Sequence, residues 1–373
     1  MQILKYGMVG GGEGAFIGDV HRKSINLDGK AQLVSGCFSR DWENTLATGK
    51  NLGLDESRLY KGFEEMAKAE AGNLDFVVVV TPNNLHFAVC KAFLEAGIHV
   101  VCDKPLVCEV AEAETLMLLS KEKGLLFAVT YTHSGHVTFK HVREIIAAGE
   151  IGEVRAVSGE YLQGWLSAGD GGKQGWRTDP VQSGISNALG DIGIHVENSV
   201  AAMTGLKIKR LLAKMDRIVP GRTLDDNSVV LVELENGASG TYWASQVAIG
   251  CDNDLKIRIY GSKGTIEWSS FNSEDVIIIG EDGIRKLYRR GYGAIAPDAT
   301  KFGRLPPAHN EGFFEAMANI YSNFCDCVHK HANGTLKPED VDYPGIQEGL
   351  DSVKFIHYCV ESSNNGNVWV DFV

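Results

Sequence analysis

Ile3-Leu-Lys-Tyr-Gly-Met-Val9 runs directly into Gly10-Gly11-Gly12-Glu13-Gly14-Ala15. The first segment reads as a buried strand, and a helix-like stretch follows the glycines. The junction fits G-x-G-x-x-A, a variant of the dinucleotide fingerprint. Gly10 permits a tight turn, Gly12 lets backbone approach a pyrophosphate, and Ala15 allows close helix packing. Gly10, Gly12, Glu13, Gly14 and Ala15 are therefore cofactor-binding candidates, with the helix N-terminus supplying N–H groups for phosphate. An ordinary glycine-rich turn is the alternative, which the strand–turn–helix context disfavours.

Outward from this turn the pattern repeats. Residues 32–38 read as a second strand and 41–52 as a helix. Asp75 to Thr81 is a third strand of the fully buried parallel kind. His86 to Ala96 reads as a helix, His99 to Cys102 as a strand, Ala111 to Lys123 as a helix and Leu125 to Thr130 as a strand. This alternation predicts a doubly wound parallel sheet, a Rossmann domain over residues 1–130. Beyond it the grammar changes to β-runs separated by Gly and Asn/Asp turns, with helices at Asp191 to Thr204, Glu311 to His331 and Ile346 to Ser362. Residues 131–373 are expected to form an α+β domain with a large, mostly antiparallel open sheet, its last elements packing back near the first.

The chain has 373 residues and a net charge of −12. That length suits two domains. An acidic surface disfavours nucleic acid and anionic membranes. No apolar run is long enough to span a bilayer, and the N-terminal residues carry no targeting character. The eight cysteines lack a C-x-x-C pair, as expected of free thiols in a cytoplasmic protein.

Three constellations carry chemistry. At the second strand's tip, Ser39 and Arg40 suit a 2′-phosphate and hence NADP; alternatively Arg40 stacks on adenine with NAD bound, Asp41 lying within reach of a ribose. Thr81, Pro82 and Asn83 end the third strand, and Asp103, Lys104 and Pro105 follow the fourth, where ligands of open parallel sheets bind. Lys104 there is suited to hydrogen-bond a substrate hydroxyl or pass a proton. Asp191 and His195, four apart, share a helix face. Removing a hydroxyl proton as hydride leaves carbon suits a histidine or lysine near neutral pH. The same pair read structurally is a helix-start acid and a core histidine. A metal is not expected, since no third ligand stands at a recognisable spacing.

Gly10-x-Gly12-x-x-Ala15, Thr81-Pro82-Asn83, Asp103-Lys104-Pro105 and Asp191-x-x-x-His195, in that order, resemble the glucose–fructose oxidoreductase/inositol dehydrogenase/MocA (Gfo/Idh/MocA) family over nearly the whole chain. The family usually has Glu where this chain has Asp103. The resemblance implies NAD or NADP as cofactor and dimers or tetramers built on the open sheet. It implies that Lys104 assists proton transfer, that a cis peptide precedes Pro105, that Asp191 and His195 bind sugar hydroxyls, and that His195 is the general base. The nicotinamide is expected beside Thr81, Asn83 and His86, with Asp103 on a ribose and Trp176 and Arg177 near cofactor or substrate. Residues 161–166 and 306–311 look like a sugar- and glycoside-oxidising subgroup. This makes His133, Tyr161, Trp165 and His309 substrate-binding candidates, with Trp176 a further stacking residue and Glu311 a further hydroxyl ligand; core packing is the alternative for the aromatics.

The expected activity is hydride transfer between nicotinamide and a secondary hydroxyl, favoured at ring C3, of a sugar, glycoside or cyclitol. One rival is net glycoside cleavage through transient oxidation by bound cofactor, with Tyr131, His133 or Tyr161 as the extra base. The other is a non-catalytic dinucleotide sensor, against which the intact Lys104, Asp191 and His195 set argues.

Overall fold

A computed structural model describes residues 2–168 and 175–373. The chain divides into two compact units. The first comprises Met1–Thr132 with Met317–Leu350, and the second His133–Ala316 with Asp351–Val373.

In the first unit, strands β1 (Leu4–Gly10), β2 (Ala31–Cys37), β3 (Phe76–Val80), β4 (His99–Cys102) and β5 (Phe127–Val129) alternate with helices α1 (Phe16–Asn26), α2 (Trp42–Asn51), α3 (Phe63–Ala69), α4 (Asn83–Glu95) and α5 (Val110–Lys123). The strands pair in parallel in the order β2-β1-β3-β4-β5. Every residue of β3 is buried, as a central strand covered on both faces requires. Helix α4 starts at Asn83 rather than at His86, because Pro82 stands at its N-cap with φ −55°, a value that leads into a helix. Residues Met317, Ile320, Tyr321 and Phe324 of the helix Phe313–Ala332 join Tyr6, Met8, Phe76 and Val78 in this unit's core. The sheet reverses its direction of growth between β1 and β3, so the crevice for a ligand opens where Gly10 and Val80 end those strands.

The second unit carries a nine-stranded sheet. Its strands are β6 (Val154–Leu162), β7 (Ile208–Asp216), β8 (Asn227–Leu234), β9 (Ser239–Ser245), β10 (Asp254–Gly261), β11 (Gly264–Ser269), β12 (Asp275–Gly280), β13 (Arg285–Arg289) and β14 (Val370–Asp371). Their order is β13-β12-β11-β10-β6-β9-β8-β7-β14. All neighbours are antiparallel except β6 and β9. Helices α6 (Val137–Ala147) and α7 (Ile194–Thr204) belong to this unit, and α7 packs on β6 and β10. Alternation is clean along β8, where Val230 and Val232 are buried and Val229 and Leu231 are exposed. The edge strand β13, Arg-Lys-Leu-Tyr-Arg, lacks that alternation and is mostly exposed; its charges suit an edge. Among the described residues no helix is long and apolar enough to cross a membrane.

Candidate active site

In the first unit the glycine turn is built as a cradle. Gly10 has φ +87°, and a Cβ there would stand 2.7 Å from the Val80 carbonyl oxygen. No other residue type fits that position without moving β3. The expected close helix contact is made not by Ala15, which is exposed and occupies the N-cap of α1, but by Gly18, whose Cβ would stand 2.4 Å from Gly11 Cα. Gly18 went unrecognised because the fingerprint spacing ends at Ala15. Asn44 and Thr48 of α2 accept from the Glu13 N–H at 3.1 and 3.0 Å, and Asn51 donates to the Glu13 carboxylate. Gly11 and Gly14 add further positive φ values, +74° and +87°, the latter with open space beside it. The Ala15 side chain makes no cap bond, which leaves the first turn of α1 facing the crevice uncapped by its own side chain.

At the tip of β2, Ser39 Oγ accepts from the Asp41 N–H at 3.1 Å, and Asp41 caps α2 by accepting from the Glu43 N–H. Arg40 is exposed. At the end of β3 the Thr81 hydroxyl is buried and makes no hydrogen bond with any described residue. An orphaned buried hydroxyl beside a glycine cradle is what a polar ligand would satisfy. The glycine turn and the orphaned Thr81 hydroxyl therefore fit a dinucleotide, whose phosphates the Gly10–Ala15 turn is suited to hold.

Beyond β4, the Lys104–Pro105 peptide is cis. Asp103 Oδ1 accepts from the Lys104 N–H at 2.9 Å and the Thr130 hydroxyl at 2.8 Å, so this carboxylate orients the lysine-bearing turn. Lys104 is half-buried. His86 is buried, and both its ring nitrogens meet main-chain carbonyls rather than open space.

In the second unit the expected helix over 191–204 begins differently. Leu189–Gly193 is a π-helical turn, and α7 follows from Ile194. Such turns concentrate at functional sites. The cause is local. Asp225, fully buried, accepts from the N–H groups of Asn187 and Leu189 and from the hydroxyls of Ser186 and Ser228. Burial pushes its carboxyl up, and those four donors pull it back.

Asp191, carried on the π-turn, accepts from Gln246 Nε2 at 2.8 Å and lies 3.8 Å from Arg177 Nε. Gln246 Oε1 in turn accepts from Asn187 Nδ2 at 2.9 Å. Arg177 lies over the Trp176 ring at 4.6 Å. His195, 7% exposed, packs edge-on against His133 at 5.2 Å and Tyr161 at 5.7 Å. The Tyr161 hydroxyl donates to Asn253 Oδ1 at 3.0 Å, Gln163 donates to the same oxygen, and Trp165 Nε1 donates to Gln163 Oε1 at 2.7 Å. Burial pushes the Tyr161 phenol far up. Thus Asp191, His195, His133, Tyr161, Trp176 and Arg177 fall into two connected clusters, while Trp165 is half exposed at the outer end of one. His309 is exposed, its Nδ1 3.1 Å from Pro307 O. The expected hydroxyl ligand Glu311 is instead buried against Arg290 at 3.1 Å and accepts from the N–H groups of Arg304 and Leu305. Gln246, Asp225 and Asn253 carried no sequence signal; each acts on residues tens of positions away.

Comparison with known proteins agrees with both units. Residues 4–131 match the oxidoreductase family model with NAD-binding Rossmann fold, and residues 139–267 match the GFO/IDH/MocA C-terminal domain. An uncharacterized oxidoreductase of Bacillus subtilis, YfiI, is 38% identical over 99% of this chain and 97% of its own length. An inositol dehydrogenase homolog from Azotobacter vinelandii, crystallised with NAD+, superposes with a TM-score of 0.96 at 35% identity, covering 100% of this chain and 98% of that one. An inositol dehydrogenase homolog from the same organism, complexed with NADH and myo-inositol, gives 0.94 at 34% identity, covering 100% of this chain and 98% of that one. Levoglucosan dehydrogenase of Pseudarthrobacter phenanthrenivorans is 26% identical over 100% of this chain and 98% of its own. The chain belongs to the Gfo/Idh/MocA family of oxidoreductases and carries its NAD-binding Rossmann domain.

Proposed function

We propose that the protein is a dehydrogenase that oxidises a secondary hydroxyl of a sugar, glycoside or cyclitol to the ketone, with ring C3 of a pyranose the favoured position. The observation that carries this reading is the presence of Lys104, Asp191 and His195 in a chain 34% identical, over its full length, to a homolog crystallised with NADH and myo-inositol. Bound NAD or NADP supplies the hydride acceptor. Lys104 hydrogen-bonds the reacting oxygen, and His195 takes its proton. Asp191, held by Gln246 and Arg177, accepts from neighbouring hydroxyls. His133, Tyr161, Trp165 and His309 contribute to recognition of the ring, Trp176 and Arg177 to recognition of substrate or cofactor.

Cleavage of a glycoside through transient oxidation needs a further base. Tyr161 does not suit that role, because its proton is committed to Asn253 and burial disfavours the phenolate. The eight free cysteines suit a cytoplasmic enzyme. The exposed apolar side chains of Val229, Leu231 and Trp243 on one face of β8 and β9 suit a homodimer or homotetramer built on that face.

The test is growth of reduced-nicotinamide absorbance with a panel of pyranoses, inositols and glycosides and either dinucleotide. Growth with one pair names ring and cofactor together. Aglycone release without added dinucleotide and without absorbance change would overturn the dehydrogenase reading.

A further inference from the structure

Three imidazoles of the first unit, those of His21 and His86 buried and that of His99 half-buried, face different partners. His99 Nδ1 accepts from the Leu126 N–H at 3.0 Å. His21 Nδ1 lies 2.5 Å from the Tyr321 hydroxyl, a group able to donate or to accept. A neutral ring satisfies both arrangements. His86 is different. Its Nδ1 lies 2.8 Å from the Pro105 carbonyl oxygen and its Nε2 2.9 Å from the Thr81 carbonyl oxygen. Each is a pure acceptor. A neutral imidazole has one N–H and one lone pair. Either tautomer would hold that lone pair against a carbonyl oxygen at hydrogen-bond distance in a site 1% exposed to solvent. Turning the ring over would replace both bonds with C–H contacts. Only the doubly protonated ring satisfies both carbonyls.

We propose that His86 is an imidazolium that clamps the exit of β3 to the exit of β4, acting as a positioning residue for the Thr81-Pro82-Asn83 turn and for Lys104. Burial opposes the charge and pushes the ring's pKa down, while the Pro105 carbonyl, the Asp103 carboxylate and the carbonyls of Thr81 and Leu106 pull it back up. The two carbonyl acceptors, which no neutral tautomer satisfies together, decide for the cation. Asp103, whose Oδ1 lies 3.9 Å from His21 Nε2, also favours the His86 charge and orients the Lys104 N–H. The clamp bridges two turns: Thr81 and Pro105 are joined through a residue five positions beyond the first and nineteen before the second. The consequence for catalysis rests on the function proposed above. The charge state does not.

Neutron diffraction from crystals of the intact protein exchanged into heavy water at neutral pH reads the answer directly. Deuterons on both Nδ1 and Nε2 of His86, with one on His99 as an internal control, are the expected result. A bare nitrogen on His86, or a ring turned to present carbons to the two carbonyls, overturns the proposal. The companion variant His86→Gln donates to one carbonyl and sets its own oxygen against the other. Its kcat should fall about tenfold to a hundredfold, the scale of a small misplacement of reacting groups, with a smaller change in KM. Unchanged kcat would overturn the positioning role. Should the variant fail to fold, the neutron result decides the charge alone. Two deuterons in a protein that oxidises no polyol would leave the charge standing and remove the proposed function; one bare nitrogen in an active dehydrogenase would do the reverse.

Discussion

His136, at the start of α6, is 7% exposed, and its ring sits 5.9 Å from the Trp268 ring and 6.2 Å from the His133 ring. Burial pushes its pKa down to about 4, from an ordinary value near 6.5. The unfolded chain therefore binds this proton first as pH falls. Stability contributed by the neutral ring is fully present above pH ~6.5 and is lost progressively between there and pH ~4, below which the native state also binds the proton. Each pH unit in that window removes about 1.4 kcal/mol, so roughly 2 kcal/mol has gone near pH 5 and about 3 kcal/mol by the lower limit. His136→Phe keeps an aromatic ring beside Trp268 and removes the titration. Its unfolding free energy should fall less steeply with acid than that of the wild type, by one proton's slope in that window. Urea unfolding at a series of pH values, followed by tryptophan fluorescence, measures this. Trp165, Trp176, Trp243, Trp268 and Trp369 all lie in the second unit, which holds His136. A variant with the wild-type slope would mean that the native ring takes up its proton together with the unfolded chain's, and the argument from burial would be refuted.

Three further outcomes follow from named contacts. Gly10→Ala forces a left-handed φ at a cost of ~1–2 kcal/mol and pushes a methyl against the Val80 carbonyl; dinucleotide affinity, read by fluorescence titration, should weaken at least about tenfold, and an unchanged Kd would remove Gly10 from the cradle. Gln246→Leu deletes the bond to Asp191 and the one from Asn187; it should cost about 2–4 kcal/mol by denaturant unfolding and raise the KM of the polyol more than that of the dinucleotide, whereas equal effects on both would detach Gln246 from substrate recognition. Tyr161→Phe removes a phenol whose proton is committed to Asn253; a stability loss of about 1 kcal/mol with most turnover retained is expected, and a loss of about a hundredfold or more in kcat would instead make Tyr161 an acid or base and favour the cleaving reaction.

The parts of the fold legible in the sequence are those fixed by short-range rules. Five consecutive buried residues, Phe76 to Val80, leave little choice but a central parallel strand, and Gly10 announces its turn because few residues tolerate φ +87°. The parts that were illegible depend on partners far along the chain. The helix Phe313–Ala332 reads plainly as a helix, yet nothing in its own apolar pattern says that Met317, Ile320, Tyr321 and Phe324 complete the core of the first unit. His86 reads as a cofactor neighbour because it follows Thr81-Pro82-Asn83; its burial between two carbonyls depends on Pro105, nineteen residues on. Asn253 binds Tyr161 across 92 positions, and Asp225 acts on Ser186 across 39. Polar side chains that orient other polar side chains have no periodicity of their own.

The two buried ionisable groups behind the candidate residues follow one rule of complementarity. Asp225 faces two main-chain N–H groups, one on each oxygen, with a hydroxyl added to each; both oxygens must accept, and a carboxylate does so without conflict. His86 faces carbonyls at both nitrogens; both must donate, and an imidazolium does so. In each case burial opposes the charge, and fixed main-chain dipoles of opposite sense favour it. Main-chain groups cannot rotate away as hydroxyls or waters can, so the charge and the backbone geometry hold each other in place. Asp225 diverts the N–H groups of Asn187 and Leu189 to its own oxygens, and the chain there enters α7 through a widened turn that carries Asp191. His86 ties the turn after β3 to the turn that carries Lys104. The residues that would meet substrate are thereby set by backbone held through buried charge, which is why neutralising either group should alter turnover before it alters the fold's topology.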